Sequence, residues 1–307
     1  MKTNRRGALL LLGSTLLASC AAPQTVSQDT TDPFEGGIGG TGIVGTVFGN
    51  RNLSINGLKV DLSANTSVTS PIGPKTQTDL APGQVLTVFA RKAPDGIVSR
   101  EISIDFALVG DFKVNGANAS VNSVPLIGWQ GALGQGRTGQ RVAVSGTWTP
   151  NGVRPSRIDP APQSMDVIAG TFDGAGVGGV TMETRSSRPM AGSYTVAFGR
   201  SQNDGFRVEQ FKSGRFTTAN GLKYLSVDGY LETERKAPGF RIAGLGHSFA
   251  RDVQLGQIGQ RRAIYFGAYT GRFNARIGVI VPDDFRTRDR VLRDGLDLAP
   301  SSSVLRL

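Results

Sequence analysis

Gly83-Gln84-Val85-Leu86-Thr87-Val88-Phe89-Ala90-Arg91-Lys92-Ala93-Pro94-Asp95-Gly96-Ile97 aligns without a gap, 56 residues on, to Gly139-Gln140-Arg141-Val142-Ala143-Val144-Ser145-Gly146-Thr147-Trp148-Thr149-Pro150-Asn151-Gly152-Val153. In both copies apolar residues alternate (Leu86, Val88; Val142, Val144), the pattern of a half-buried strand. Pro-Asp-Gly or Pro-Asn-Gly then turns the chain into a returning strand, where Ile102 falls opposite Ile158. Upstream, Ile55-Asn56-Gly57 matches Val114-Asn115-Gly116 at an offset of 59, which makes one loop three residues longer. Asn and Gly tolerate the positive φ that tight hairpins require. A unit of this length with four or five short strands cannot bury both faces of an open sheet, so closure into a small barrel is expected.

Composition agrees. The 42 Gly among 307 residues are about twice the ordinary ~7%, and charged residues are only 19%. Apolar residues at 38%, with 15 Phe, 5 Tyr and 2 Trp, suffice for two or three modest cores. Beyond Met165 the strand grammar continues. Tyr194 to Phe198 and Phe206 to Phe211 flank Asn203-Asp204-Gly205, and Val227-Asp228-Gly229-Tyr230 through Pro238-Gly239-Phe240-Arg241-Ile242 echoes the earlier Val-Ser-Gly…Pro-Asn-Gly-Val segment. Pro282, Asp283 and Asp284 followed by Arg286, Arg288, Arg290 and Arg293 have helix-dipole polarity, with Phe285, Val291, Leu292 and Leu296 as an apolar stripe.

The only Cys is Cys20, which excludes an intramolecular disulfide, a thiolate zinc site and a cysteine nucleophile in a folded core. Lys2, Arg5 and Arg6 precede an apolar run from Ala8 to Leu17, broken by Gly13, Ser14 and Thr15 and too short for a span of about 20 residues. Leu17-Ala18-Ser19-Cys20 resembles the bacterial lipobox at all four positions, which implies acylation of Cys20 and cleavage before it. Ala21 stands where Asp would signal inner-membrane retention, so the resemblance implies the outer membrane, facing the periplasm. Asn4-Arg5-Arg6-Gly7-Ala8-Leu9 partly resembles a twin-arginine signal, but Asn4 and Ala8 depart from it and an ordinary n-region is preferred. Ala21 to Glu35 and the following Gly36-Gly37-Ile38-Gly39-Gly40-Thr41-Gly42 lack apolar periodicity and read as a flexible tether.

The glycine lead-in, the Asn-Gly hairpins and the repeated Gly-Gln…Val…Pro-Asp/Asn-Gly segments resemble bacterial lipoproteins carrying tandem copies of the small β-barrel called domain of unknown function 5666. The resemblance covers roughly residues 42–160 and implies OB-like barrels in an exported protein; it implies no activity and no functional residues. The expected fold is all-β, tandem small OB-like or Greek-key barrels with one short C-terminal helix. The expected organisation is a signal peptide (1–19), tether (20–41), barrel modules at 42–104 and 105–164, and a diverged β domain of one or two further modules (165–307).

Catalytic constellations fail on chemical grounds. Gly246-His247-Ser248-Phe249-Ala250 imitates a nucleophile elbow but ends in Ala, and the single His of the chain is that Ser's neighbour. A histidine metal site would lack partners. Gly40, Gly42, Gly45 and Gly174, Gly176, Gly179 match G-x-G-x-x-G without a following helix, and both read as loops. Asp283-Asp284 reads more simply as a helix cap than as a carboxylate pair. No enzyme activity, metal or cofactor is expected, the alternative being an exported carboxylate hydrolase of envelope glycans.

Charge is the remaining clue. The chain carries +10, and removing Lys2, Arg5 and Arg6 leaves 31 basic against 24 acidic residues. From Met165 onward 20 basic residues face 14 acidic ones, and 17 of the 20 are Arg, which forks onto phosphate and carboxylate. Arg272, Arg276, Arg286 and Arg288 are candidate contacts to an anionic envelope glycan or lipid, or to a protein partner. The competing reading is a solvated face. Nucleic acid fits the charge but not an exported protein. The expectation is a membrane-anchored binding or envelope-scaffolding module.

Overall fold

A computed structural model describes residues 40–49, 53–93, 96–184, 187–203, 205–216, 221–233, 240–246, 248–249 and 261–293. Its first five strands are β1 (Gly40–Phe48), β2 (Leu53–Ile55), β3 (Leu58–Thr69), β4 (Val85–Ala93) and β5 (Gly96–Asp105). They pair in the order β1-β2-β3-β5-β4, and β4 returns to β1, closing a barrel. Only β3 and β5 run parallel. Leu86, Val88 and Ala90 are fully buried in the lumen, so the intervening Thr87 and Phe89 face outward, as the two-residue period of a strand requires.

The second module comprises β6 (Leu108–Asn115), β7 (Asn118–Val121), β8 (Val124–Pro125), β9 (Leu133–Gly134), β10 (Arg141–Thr149) and β11 (Gly152–Pro160). Its β10–β11 hairpin repeats β4–β5 at the 56-residue offset: Val88 pairs with Ile102, and Val144 with Ile158. Its third strand is split, with Leu126 bridging Val153 and β9 pairing parallel to β11.

Among the described residues the plan recurs twice more. The third module is β12 (Asp166–Thr171), β13 (Gly176–Val177), β14 (Val180–Glu183), β15 (Tyr194–Gln202) and β16 (Gly205–Ser213); the fourth is β17 (Leu222–Thr233), β18 (Phe240–Ile242), β19 (Ser248–Phe249), β20 (Arg262–Tyr269) and β21 (Phe273–Val281). In each, the fourth strand pairs with the first and the fifth, and the fifth receives a parallel third strand. Two marks identify equivalent positions. Every fourth strand has a register shift at the same point, Phe89/Ala90, Ser145/Gly146, Phe198/Gly199 and Phe266/Gly267. Every first strand has a glycine there too. A Cβ on Gly45, Gly110, Gly170 or Gly229 would lie 2.0, 2.2, 2.7 or 2.6 Å from Asn56, Asn122, Val177 or Ile242, the second-strand or turn residue that closes over it.

These equivalences correct three readings. Asn56-Gly57 corresponds to Asn122-Ser123, not to Asn115-Gly116: Asn122 (φ 52°) and Ser123 (φ 65°) hold the same left-handed turn as Asn56 (φ 56°) and Gly57 (φ 79°). Asn115 instead pairs with Asn118 in a hairpin between β6 and β7. Val227-Asp228-Gly229-Tyr230 belongs to a first strand, so its echo of the 4–5 hairpin is misaligned. Gly40, Gly42 and Gly45 lie within β1, not in a loop.

The modules are joined by their first strands and by buried polar groups. β1 runs parallel to β17, and β6 antiparallel to β12. Asn56 Nδ2 donates to Val44 O (3.1 Å) and to Ser226 Oγ (3.0 Å); Asn122 Nδ2 donates to Val109 O and Val167 O (both 3.0 Å). Arg262, 1% exposed, bonds Asp228 through Nε (2.6 Å) and Nη2 (2.5 Å), and donates to Thr147 Oγ1 (2.8 Å) and Thr46 Oγ1 (3.2 Å) in two other modules. Trp148 is a knob from the second module: Nε1 donates to Ala169 O (2.7 Å), and Cβ atoms on Gly178 and Gly244 would lie 2.0 and 2.3 Å from its ring. The expected helix is α1 (Phe285–Arg293). Asp284 Oδ2 accepts from Thr287 N–H (2.7 Å), Phe285 stacks on Phe48 (4.9 Å), Leu292 is buried and Val291 half-buried; Leu296 lies outside the described residues.

Candidate functional site

The outward face of the first barrel, across β3, β5 and β4, is ordered by register: Ser67, Glu101 and Phe89 form one row, Thr69, Ser103 and Thr87 the next. Facing it, β15 points Thr195 and Ala197 into the third barrel and presents Tyr194, Val196 and Phe198 outward. Lys212 of β16, paired with Val196, lies over the Phe198 ring at 5.9 Å. Together these rows enclose a cleft of about 250 Å³, completed by Arg215 and Phe216.

Arg215 joins the two walls. Its guanidinium lies 3.8 Å from the Tyr194 ring centroid, Nη1 donates to Thr87 Oγ1 (2.7 Å) and to the Asp105 carboxylate, and Nη2 reaches Gly244 O (3.4 Å). Thr87 also donates to Asp105 (2.5 Å). Arg215 Nε is buried without a partner. Burial pushes the Tyr194 phenol up, so it stays protonated and its ring serves as a stacking surface. Phe89 and Phe216 lie against bare backbone: a Cβ on Gly40 would be 2.4 Å from Phe89 Cε2, and one on Gly42 2.8 Å from Phe216 Cζ.

The arginines named from the sequence do not converge on this cleft. Arg272 is exposed at the β20–β21 turn and Arg286 exposed on α1, so the nine residues of β21 separate them by roughly 30 Å. Arg276 is on β21, its side chain outside the described residues. Arg288 is corrected outright. It is 1% exposed, donates from Nη1 to Pro282 O (3.1 Å) and Asp283 O (2.9 Å), and lies over Phe48 (5.4 Å) and Phe285 (6.0 Å). Burial, and then the Arg262 charge, lower its pKa to about 10. Arg215, Arg241 and Arg262 are engaged by Asp105, Glu232 and Asp228. Arg241 pairs within the fourth module, whereas Arg215, through Asp105, and Arg262, through Thr46 and Thr147, hold modules together.

The carboxylate pair is likewise divided: Asp283 accepts from Tyr230 OH (2.6 Å) and faces Arg154 (3.6 Å), while Asp284 caps α1. Leu17, Ala18, Ser19, Cys20 and His247 lie outside the described residues. Among the described residues no helix is long and apolar enough to cross a membrane. Sequence reasoning missed Tyr194, Phe198, Lys212, Arg215 and Phe216; the available signal was that alternate residues of one strand, Tyr194, Val196 and Phe198, leave aromatic rings on the face away from the lumen.

The fold defines an all-β protein with a closed five-stranded barrel and a second sheet, and a cleft lies between its first and third modules. Compared with known proteins, the chain matches no family model, no curated protein and no solved structure.

Proposed function

We propose that this chain is an outer-membrane-anchored, periplasm-facing lipoprotein that binds an envelope component without catalysing a reaction, the cleft between the first and third modules being the ligand seat. One observation carries the binding reading: rings, hydroxyls and charges from the first and third modules converge there on strand faces turned away from the lumens. The lipobox match at Leu17-Ala18-Ser19-Cys20 supports the anchor, and Ala21 the outer membrane. An envelope glycan is the ligand the lining favours, above a lipid or a protein partner. The alternative, an exported carboxylate-based hydrolase, draws no support from Asp283 and Asp284, which serve a junction and a cap.

Cys20→Ala is expected to abolish incorporation of labelled fatty acid and release the protein from the membrane fraction; label still entering the variant would refute the anchor. For the seat, Ser67 is exposed at the cleft. Ser67→Trp should leave the melting temperature unchanged while immobilised protein loses capture of glycan from envelope extract. Equal glycan capture by both proteins would place binding elsewhere.

A further inference from the structure

Resting on that reading, the cleft also specifies its ligand. Its lining carries two cations, Lys212 and Arg215, and two acids, Glu101 and Asp105, so it has no net charge. Arg215 is committed to Asp105 and Thr87 with its face on Tyr194, and is not free to meet an incoming anion. The polyanion suggested by the arginine count has no converging cations here.

What the cleft offers instead is flat apolar surface beside neutral hydroxyls. Gly40 and Gly42 sit two residues apart on β1, and the outer edges of the Phe89 and Phe216 rings come against them, so two partly buried rings line the cleft about 7 Å apart. Beside Phe89 on the same sheet face, the rows of β3 and β5 present Ser67 and Ser103. A pyranose has the matching chemistry: a C–H face that packs on an aromatic ring and an equatorial rim of hydroxyls that exchange hydrogen bonds with hydroxyl, carboxylate and ammonium groups. An acyl chain would offer the Ser67 and Ser103 hydroxyls no hydrogen bond. The volume of about 250 Å³ falls below the ~300–1,000 Å³ of drug-sized sites, room for one or two rings of a longer glycan.

We infer that the cleft binds a neutral saccharide segment, its ring seated on Phe89 and Phe216 and its hydroxyls bonded by Ser67, Ser103 and Lys212. The test is calorimetric titration of the full chain in detergent with neutral gluco- and chito-oligosaccharides, oligouronates, and phosphatidylglycerol vesicles. At least one neutral series should bind, with affinity unchanged as salt rises from about 0.1 M to about 1 M and the screening length falls from ~10 to ~3 Å. Phe216→Ala should weaken it about tenfold, the scale of one lost aromatic contact. Because Phe216 also packs on the fourth module's core, Ser67→Trp, on the exposed outward face of the first barrel, serves as the variant that blocks the cleft without touching a core. Binding confined to oligouronates or vesicles and abolished by salt overturns the inference, as does neutral binding indifferent to both variants. If no neutral series titrates while envelope glycan is still captured, the inference falls and the binding reading stands; if capture fails as well, both fall.

Discussion

Asp228→Ala should destabilise the protein by about 3–5 kcal/mol, because it leaves the Arg262 guanidinium buried without a counter-charge at the meeting point of three modules. Against a total stability of ~5–15 kcal/mol this is a large share, and the melting temperature should fall by roughly 10 °C. The paired replacement Asp228→Leu with Arg262→Met should recover most of the loss, since apolar groups of similar volume need no solvation. The pair also sets an acid limit. Burial alone would raise the Asp228 carboxyl, but the charge and hydrogen bonds of Arg262, with Arg288 and Thr46, hold it below the ordinary carboxylate range. A depressed carboxyl contributes its full stability above the unfolded pKa of about 3.9 and loses it as pH falls through the lower folded value. Acid unfolding curves of Asp228→Asn should lack that component; curves that keep its slope would assign the acid transition to another group.

Trp148→Ala should cost a similar ~3–5 kcal/mol through the cavity it opens and the unpaired Ala169 carbonyl it leaves. Gly178→Ala and Gly244→Ala should each destabilise as well, because their Cβ atoms would overlap the indole, and both glycines have positive φ (59° and 72°). In the Trp148→Ala background the added methyl enters vacated space. The glycine substitutions should then cost less by about 1–3 kcal/mol, a coupling readable in a double-mutant cycle by urea unfolding. Additive costs would show that Trp148 is not the wedge between the second, third and fourth modules.

Local chemistry was legible. The β4–β5 and β10–β11 hairpins are contiguous in the chain, with alternating apolar residues around two-residue turns, so a gapless repeat located both and their pairing. The capping signals at Asp284 located α1 for the same reason. The third and fourth modules were harder to read. They share with the first two a glycine in strand one and a register shift in strand four, features whose meaning depends on which strand lies alongside. Asn122-Ser123 hid its kinship to Asn56-Gly57 because the common property is a left-handed backbone, which the letters Ser and Gly do not share.

From the sequence alone came the all-β class, the small-barrel unit, its tandem repetition and the helix at the end, because each follows from periodicity, turn chemistry or capping within a few residues. Which arginines are surface and which are mortar, and where a ligand can sit, was decided only by tertiary structure. Arg288 and Arg286 are two residues apart on one helix, yet packing on Phe48 and Phe285 buries the first and leaves the second in water. Phe89 and Phe198 are 109 residues apart and belong to separate barrels. They line one cleft because the outward faces of β4 and β15 are brought together by module packing, which is non-local: spacing along a strand shows which face carries the rings, not which other face it meets.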